Sequence, residues 1–448
     1  MLHLFEKNSF YLLLLLIVLF SCNKEREEIA IVEPEEMESN EMNPDVTTTT
    51  QPNILFIIAD DMGKDATAGF SEGTIKPNTP NLNSIKDAGL TFNNFWTYPT
   101  CSPTRASIIT GKYGYRTGVK FAGDVLDTSE KILQQYINEQ TNNAYATAIV
   151  GKWHLAGRNS TTNLESLGMD YYAGVIAGSV SDYYDWDLSE DGASTSQTGY
   201  TTEVFTDLAI DWVNDQDKPW FLWLAYNAPH TPFHVPPADM HTQGNLPTYA
   251  DNLDGTPYYM AAIEAMDYQI GRLLANIPDT ELDNTIIIFI GDNGTPGQVA
   301  QAPYSRRKAK GSLYQGGVNV PMFISGKNVS RMGAENSLIG STDLYSTIAA
   351  LAGVDNSTIN DSKSFKNLLT TVSPHRDFQY AELSDGENDL WGINNGEYKL
   401  IVNANGTEEL YDLGNDPYES ENLLNSTLTA TQESAKVALE TALGAIRN

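Results

Sequence analysis

Four unbroken apolar runs, each stopping at polar residues of catalytic type, constrain this chain more than any other feature. Asn53–Ala59 (NILFIIA) stops at Asp60-Asp61, and residues 145–150 stop at Gly151-Lys152-Trp153-His154. Trp220–Ala225 leads to Asn227-Ala228-Pro229-His230, and residues 285–290 stop at Gly291-Asp292-Asn293-Gly294. Short runs of this kind, bounded by Gly, Pro and Asn, are strands buried on both faces. Helical patterns lie between them, clearest over 256–277 and over 343–352, where Gly353 closes the helix. The fold class is therefore α/β, with a central mixed, mostly parallel sheet flanked by helices. Ligands of open α/β sheets bind beyond the carboxyl ends of the strands. One polar ending is routine, because Asp and Asn are ordinary strand-to-turn residues. Four with Asp, Asn, Lys and His predict a shared site.

The ends of the chain read differently. From about residue 378 the pattern changes to short alternating runs, and 392–401 reads as a hairpin through Asn395-Gly396. Residues 426–447 read as a closing helix. A catalytic domain over 52–375 is thus followed by a smaller C-terminal α+β subdomain over 376–448, with a short antiparallel sheet and that helix. Residues 10–20 are an apolar run of signal-peptide length, too short to span a bilayer comfortably. Its ending, Leu19-Phe20-Ser21-Cys22, resembles the lipobox of bacterial lipoproteins. That resemblance implies removal of 1–21 and a lipid on Cys22 as the chain's one link to a membrane. A plain secretory signal with an incidental cysteine is the other reading. Residues 22–51 are rich in Glu, Asn and Thr and read as a disordered acidic tether. Glu25, Glu27 and Glu28 resemble the export signals of surface lipoproteins in some Gram-negative bacteria. The expected location is the cell envelope, on an outer membrane facing the periplasm or the cell surface.

The formal net charge is -31, from 27 Lys+Arg against 58 Asp+Glu. This excludes a generic binder of nucleic acid or anionic membranes, which needs a basic face. An anionic substrate would require a local pocket of cations. Two cysteines exclude a disulfide framework. In Cys101-Ser102-Pro103-Thr104-Arg105-Ala106-Ser107, Pro103 suits the first turn of a helix and places Cys101 at its N-terminus. By itself this fits either a reactive thiol or a buried structural cysteine.

The stretch Cys-x-Pro-x-Arg followed by Thr110-Gly111 resembles the signature of the formylglycine-dependent (type I) sulfatases, of the alkaline phosphatase-like superfamily. The strand ends at Asp60-Asp61, Lys152-Trp-His154, Ala-Pro-His230 and Asp292-Asn293-Gly match that family in order. So do Lys310-Gly-Ser-Leu-Tyr-Gln-Gly-Gly, Val320-Pro321, Glu409-Leu-Tyr-Asp-Leu413, Asp416-Pro417 and Asn422-Leu423. The resemblance covers about 52–425. Two departures stand out. The cysteine motif reads Cys-Ser-Pro-Thr-Arg where Cys-Thr-Pro-Ser-Arg is more usual, and Gln315 occupies a position where Glu is common, just behind the reacting groups.

The resemblance implies an alkaline phosphatase-like fold and a specific chemistry. A maturation enzyme oxidises Cys101 to formylglycine, whose hydrate attacks sulfur and then expels sulfate as the aldehyde re-forms. Calcium, with magnesium second, would be held by Asp60, Asp61, Asp292, Asn293 and the modified Cys101. Arg105 would pin the hydrate, and Lys152 and Lys310 would bind sulfate oxygens. His154 would be the base for elimination, and His230 would help the alcohol leave together with Lys310. The expected activity is hydrolysis of a sulfate ester, on a sulfated carbohydrate given the expected location. Alternatives are an arylsulfatase acting on small aryl sulfates, a phosphodiesterase or phosphonate monoester hydrolase of the same superfamily, and a sulfated-glycan binder that is never matured. Further residues stay open. His234 is either a substrate contact or structural. Tyr183, Tyr184, Trp186 and Asp187 read as packing rather than a sugar-stacking wall. Arg306, Arg307 and Lys308 either meet anionic groups of a glycan or form a solvated loop.

Overall fold

The computed structural model describes residues 51–157, 164–190, 192–384 and 388–447. The expected signal, lipid anchor and tether therefore lie outside the described residues, apart from Gln51. The main sheet is built from β1 (Asn53–Ala59), β2 (Gly89–Phe92), β3 (Ala146–Lys152), β4 (Tyr171–Val175) and β5 (Trp186–Glu190). It continues with β6 (Ala193–Gln197), β7 (Trp220–Ala225), β8 (Thr285–Gly291), β9 (Met322–Gly326) and β10 (Gly333–Glu335). Their order is β10-β2-β9-β8-β1-β7-β3-β4-β5-β6. The five central strands, β8 to β4 in that order, are parallel, and antiparallel pairs lie towards both edges.

Side chains of β1 alternate between two cores, as the pleat requires. Ile54, Phe56 and Ile58 join one core, and Leu55, Ile57 and Ala59 join the other. On the first face pack α1 (Cys101–Thr110) and α2 (Asp343–Leu351), through Ile108, Ile109, Leu344 and Ile348. On the second pack α3 (Thr201–Asn214) and α4 (Thr256–Asn276), through Phe205, Ala209, Met260 and Ile263. Register brings the strand ends level: Ala59 lies opposite Gly291, and Ala225 lies opposite both Ile58 and Gly151. Asp60, Asp292 and Lys152 therefore emerge at one edge. Gly151 allows this close pairing, since its φ is +105° and a Cβ there would lie 2.0 Å from Ala225 O.

A second, four-stranded antiparallel sheet follows: β11 (Gln379–Ser384), β12 (Asp389–Asn394), β13 (Tyr398–Asn403) and β14 (Glu408–Asp412). The β12–β13 turn runs through Asn395 and Gly396, the latter at φ +91°. The closing helix α5 (Ala430–Arg447) lays Leu439 and Leu443 on Tyr380, Ile393, Leu400 and Leu410. It starts four residues later than the sequence pattern indicated. Thr429 Oγ1 accepts from Gln432 N–H at 3.3 Å, and Gln432 Oε1 accepts from Thr429 N–H at 2.9 Å. This reciprocal capping box fixes the start.

Candidate active site

The strand ends are locked to one another before any side chain is considered. Asp60 N–H donates to Ala228 O and Asp292 N–H to Ala59 O, each at 3.1 Å. Asp61 and His154 then adopt left-handed φ values of 70° and 61°. Such conformations cost about 1–3 kcal/mol each in a non-glycine residue and persist only where surroundings enforce them. For Asp61 the enforcing bonds are its N–H to Asp292 Oδ1 (3.0 Å) and Tyr259 OH to its carbonyl (2.7 Å). For His154 they are its N–H to Ile176 O (3.1 Å) and Ser102 Oγ to its carbonyl (2.9 Å). Gly178 covers the His154 ring so closely that a Cβ would lie 2.1 Å from Nε2.

Cys101 is the first residue of α1 and is 1% exposed. Its Sγ lies 3.4 Å from Asp60 Oδ1 and 3.8 Å from Asp61 Oδ1. Ligand atoms of Asp60, Asp61, Cys101 and His230 all fall within 4.8 Å of one another, a spacing that could hold a metal ion. Cations surround this group. Lys152 Nζ is 2.6 Å from Asp60 Oδ2, and Lys310 Nζ is 2.5 and 2.6 Å from the two Asp61 oxygens. His230 Nε2 is 3.6 Å from Asp61 Oδ2. Arg105 is buried and forks onto Asp292 Oδ2 through Nε (3.2 Å) and Nη2 (2.8 Å), while Nη1 donates to Lys152 O (2.8 Å). Asp292 thus orients Arg105 and the Asp61 backbone at once. Asn293 Nδ2 donates to Asp61 Oδ1 at 2.8 Å, and its Oδ1 is buried with no partner. An orphaned amide oxygen beside two carboxylates fits a hard cation, which takes oxygen ligands.

The charges set protonation states. Burial pushes the Cys101 thiol above its ordinary range, with Lys152 and Lys310 opposing, so the unmodified side chain is a neutral thiol. Burial also acts to raise Asp60, but Lys152, His230, Arg105 and Lys310 outweigh it and hold the carboxyl below the usual range. Burial, with Lys152 and Arg105 nearby, pushes His154 down to about 2, so its imidazole is neutral. Its Nδ1 is buried and has no hydrogen-bond partner among the described residues. The His230 Nδ1 lies 2.6 Å from Thr231 O. A carbonyl can only accept, so Nδ1 carries the proton and Nε2 faces the carboxylates.

Cys101, Arg105, Lys152, His230, Lys310, Asp60, Asp61, Asp292 and Asn293 are thereby joined in one chain of contacts, with His154 in their electrostatic field. The residues left open in the sequence lie elsewhere. His234 has both ring nitrogens engaged, Nδ1 with Pro232 O (3.0 Å) and Nε2 with Tyr200 OH (3.1 Å). It stacks on Tyr183 at 3.7 Å, which makes it a structural prop. Tyr183 is buried and its OH meets Asn227 O (2.8 Å) and His230 O (2.7 Å). Trp186 is buried too, with Nε1 on Gly199 O, whereas Tyr184 and Asp187 are exposed. Arg306 and Arg307 are exposed, but Lys308 turns inward to Glu419 O and lies over the Tyr314 ring. Sequence reasoning missed Tyr259, Gly178 and the buried pair Lys399–Glu419. Tyr259 sits in the first turn of a helix and Gly178 in a loop, with no local motif to mark either.

Comparison with known proteins follows the same lines. The family profile described as Sulfatase matches residues 52–354. The profile described as N-sulphoglucosamine sulphohydrolase, C-terminal, matches 308–445. The uncharacterized sulfatase YdeN of Escherichia coli K12 is 30% identical over 376 residues, covering 71% of this chain and 65% of YdeN. The chain thus spans slightly less than two thirds of that relative. An N-acetylglucosamine-6-O-sulfatase of Bacteroides thetaiotaomicron is 25% identical, covering 87% of this chain and 86% of its own. Among solved structures, Ps i-CgsB in complex with k-i-k-neocarrahexaose superposes with a TM-score of 0.74 at 26% identity. That superposition covers 88% of this chain and 92% of the other.

Proposed function

Because this chain belongs to the sulfatase family, we propose that it hydrolyses a sulfate ester carried by a carbohydrate, using a formylglycine made from Cys101 and a calcium ion. The observation that carries the reading is the convergence of Lys152 and Lys310 on the Asp60–Asp61 pair directly beside Cys101. It forms a basic pocket inside a strongly acidic chain, the feature that an anionic substrate requires. The carbohydrate part is supported by relatives named for a sugar sulfate and by a neighbour solved with an oligosaccharide.

Asp60, Asp61, Asp292, Asn293 and the residue at 101 would hold the cation, which would supply Lewis-acid stabilisation of negative charge. Maturation of Cys101 would supply a hydrated aldehyde, an oxygen nucleophile at position 101. Arg105, fixed by Asp292 and Lys152 O, holds positive charge beside position 101. Lys152 and Lys310 receive sulfate oxygens. His154, kept neutral, takes the proton from residue 101. His230 stands with Nε2 beside the leaving oxygen, and the Lys310 ammonium gives the alcohol its proton as the S–O bond breaks. The protein would reach this state through a formylglycine-generating maturation enzyme. It would work outside the cell, attached through a lipid on Cys22.

The test is the mass of the Cys101 peptide from protein made in its native host, together with kcat/KM on matched sulfate and phosphate esters. An aldehyde at 101 and a clear preference for sulfate are expected. An unmodified thiol in an active enzyme, or preference for phosphate, overturns the reading.

A further inference from the structure

A cavity of about 430 Å³ lies at the carboxyl end of β4, the next strand along the sheet from the one that leads to His154. Its volume is in the range of about 300–1,000 Å³ typical of small-molecule sites. One chain segment separates it from the catalytic groups. Ile176, whose carbonyl accepts from His154 N–H, lines it. So do Ala177 and Ser179, on either side of the Gly178 that covers the His154 ring. From there the cavity runs outward over β5 and β6. Trp186 and Leu188 are buried in the second core, so Asp187 and Ser189 point to the opposite face of the sheet, the one on which α1 packs. Ser194 pairs with Ser189 and shares that face. Neighbouring strands lie about 4.8 Å apart, so this floor extends to within about 15 Å of β3.

The lining is accessible, uncommitted and of one sign. Ser179, Ser181, Asp185, Asp187 and Ser194 are exposed, and Ser189 is half-buried. None of these side chains meets a partner among the described residues. No Lys or Arg is among the described residues that line the cavity. Serine hydroxyls donate and accept, and carboxylates accept, which matches the hydroxyls of a sugar ring. The same set opposes an anion, because two carboxylates face it with no cation to offset them. The catalytic pocket is the reverse, with Lys152 and Lys310 at its centre. We propose that this cavity receives the sugar unit next to the sulfated one and requires that unit to be uncharged, which makes Asp185 and Asp187 specificity-determining residues. The inference rests on the proposed function and adds to it the chemistry of the neighbouring unit.

The test is kcat/KM of the matured protein on disaccharides of N-acetylglucosamine, N-acetylgalactosamine and galactose that carry one sulfate, and on the same disaccharides with a second sulfate on the neighbouring ring. A small aryl sulfate is assayed in parallel. The second sulfate should lower kcat/KM by at least about tenfold, chiefly through KM. Asp185→Asn combined with Asp187→Asn should shrink that penalty by at least about threefold, and added salt should shrink it in the native protein. A second sulfate that is tolerated equally, or a penalty that neither the double variant nor salt moves, overturns the inference. Cleavage of the aryl sulfate but of no disaccharide also overturns it, while leaving sulfate ester hydrolysis intact. Failure to cleave any sulfate ester, the aryl sulfate included, overturns the proposed function and this inference with it.

Discussion

Asp61 and His154 show how much constraint single residues bear here, since each holds a left-handed backbone within a ring of specific bonds. The residue that this arrangement presents is Cys101. Cys101→Ala should reduce turnover to background while changing stability by about 1 kcal/mol or less, because the truncation is small. Turnover near the native level would remove the nucleophile assignment. Thorough chelation should abolish activity and lower Tm, both restored by calcium, since a ligand that binds only the folded state stabilises it. Activity indifferent to chelation would exclude the proposed ion. Histidines predict a pH dependence of stability. Burial pushes His234 down to about 4, against an unfolded value near 6.5. Between those values the unfolded chain binds more protons, so stability falls as pH drops from about 6.5 towards 4. The slope per histidine is at most about 1.4 kcal/mol per pH unit. His154 acts in the same direction. His234→Asn should narrow the Tm difference between neutral and mildly acid buffer; an unchanged difference would refute the half-buried, neutral His234. Asp60, Asp61, Asp292 and Asn293 were legible in the sequence because they follow buried strands, and Cys101 because it opens a helix, whereas Arg105 and Lys310 stood out only through the resemblance. Tyr259 was not legible, because it reaches Asp61 from another element and local patterning does not record such contacts.

At the scale of elements, α1 and the level strand ends do most to place the chemistry. The sequence located α1 from Pro103, and Gly111 ends it at φ +67° with its N–H on Ser107 O. Strand limits were less well marked: β3 runs through Lys152, two residues past the apolar run. The reason is that Gly151 and Lys152 keep pairing with Gly174 and Val175, a partner strand no local pattern reveals. The loop after β4 matters just as much. Gly178→Ala would place a methyl against the His154 ring. A displacement of about 1 Å in a catalytic group can cost about 10²-fold in rate. We expect kcat to fall by at least about tenfold, with a stability loss of about 1–3 kcal/mol from overpacking. Normal kcat with normal stability would show that the loop yields freely. Thr429→Ala offers a contrast at the far end. Losing the capping box should cost about 1 kcal/mol in denaturant unfolding and leave kcat unchanged.

On the scale of the whole molecule, the C-terminal sheet reaches back to hold the catalytic lysine segment. Lys399 and Glu419 form a fully buried ion pair at 2.5 Å. Lys399 Nζ also donates to Leu313 O, and Glu419 accepts from Gln315 N–H and, through its carbonyl, from Lys308. Glu419→Ala should cost about 3–5 kcal/mol by stranding Lys399, and should lower kcat through the Lys310 segment. Replacing both partners by Met should recover much of the stability, because desolvation of the pair is also removed. Equal stability of the single and double variants would contradict this account. The sequence by itself determined the sheet class, the C-terminal change of pattern and the polar strand ends that meet at one edge, because apolar period and turn chemistry are local. Only the tertiary structure decided strand register, the strained backbones at Asp61 and His154 and the structural role of His234. Those depend on which distant segments meet, and no local pattern encodes that.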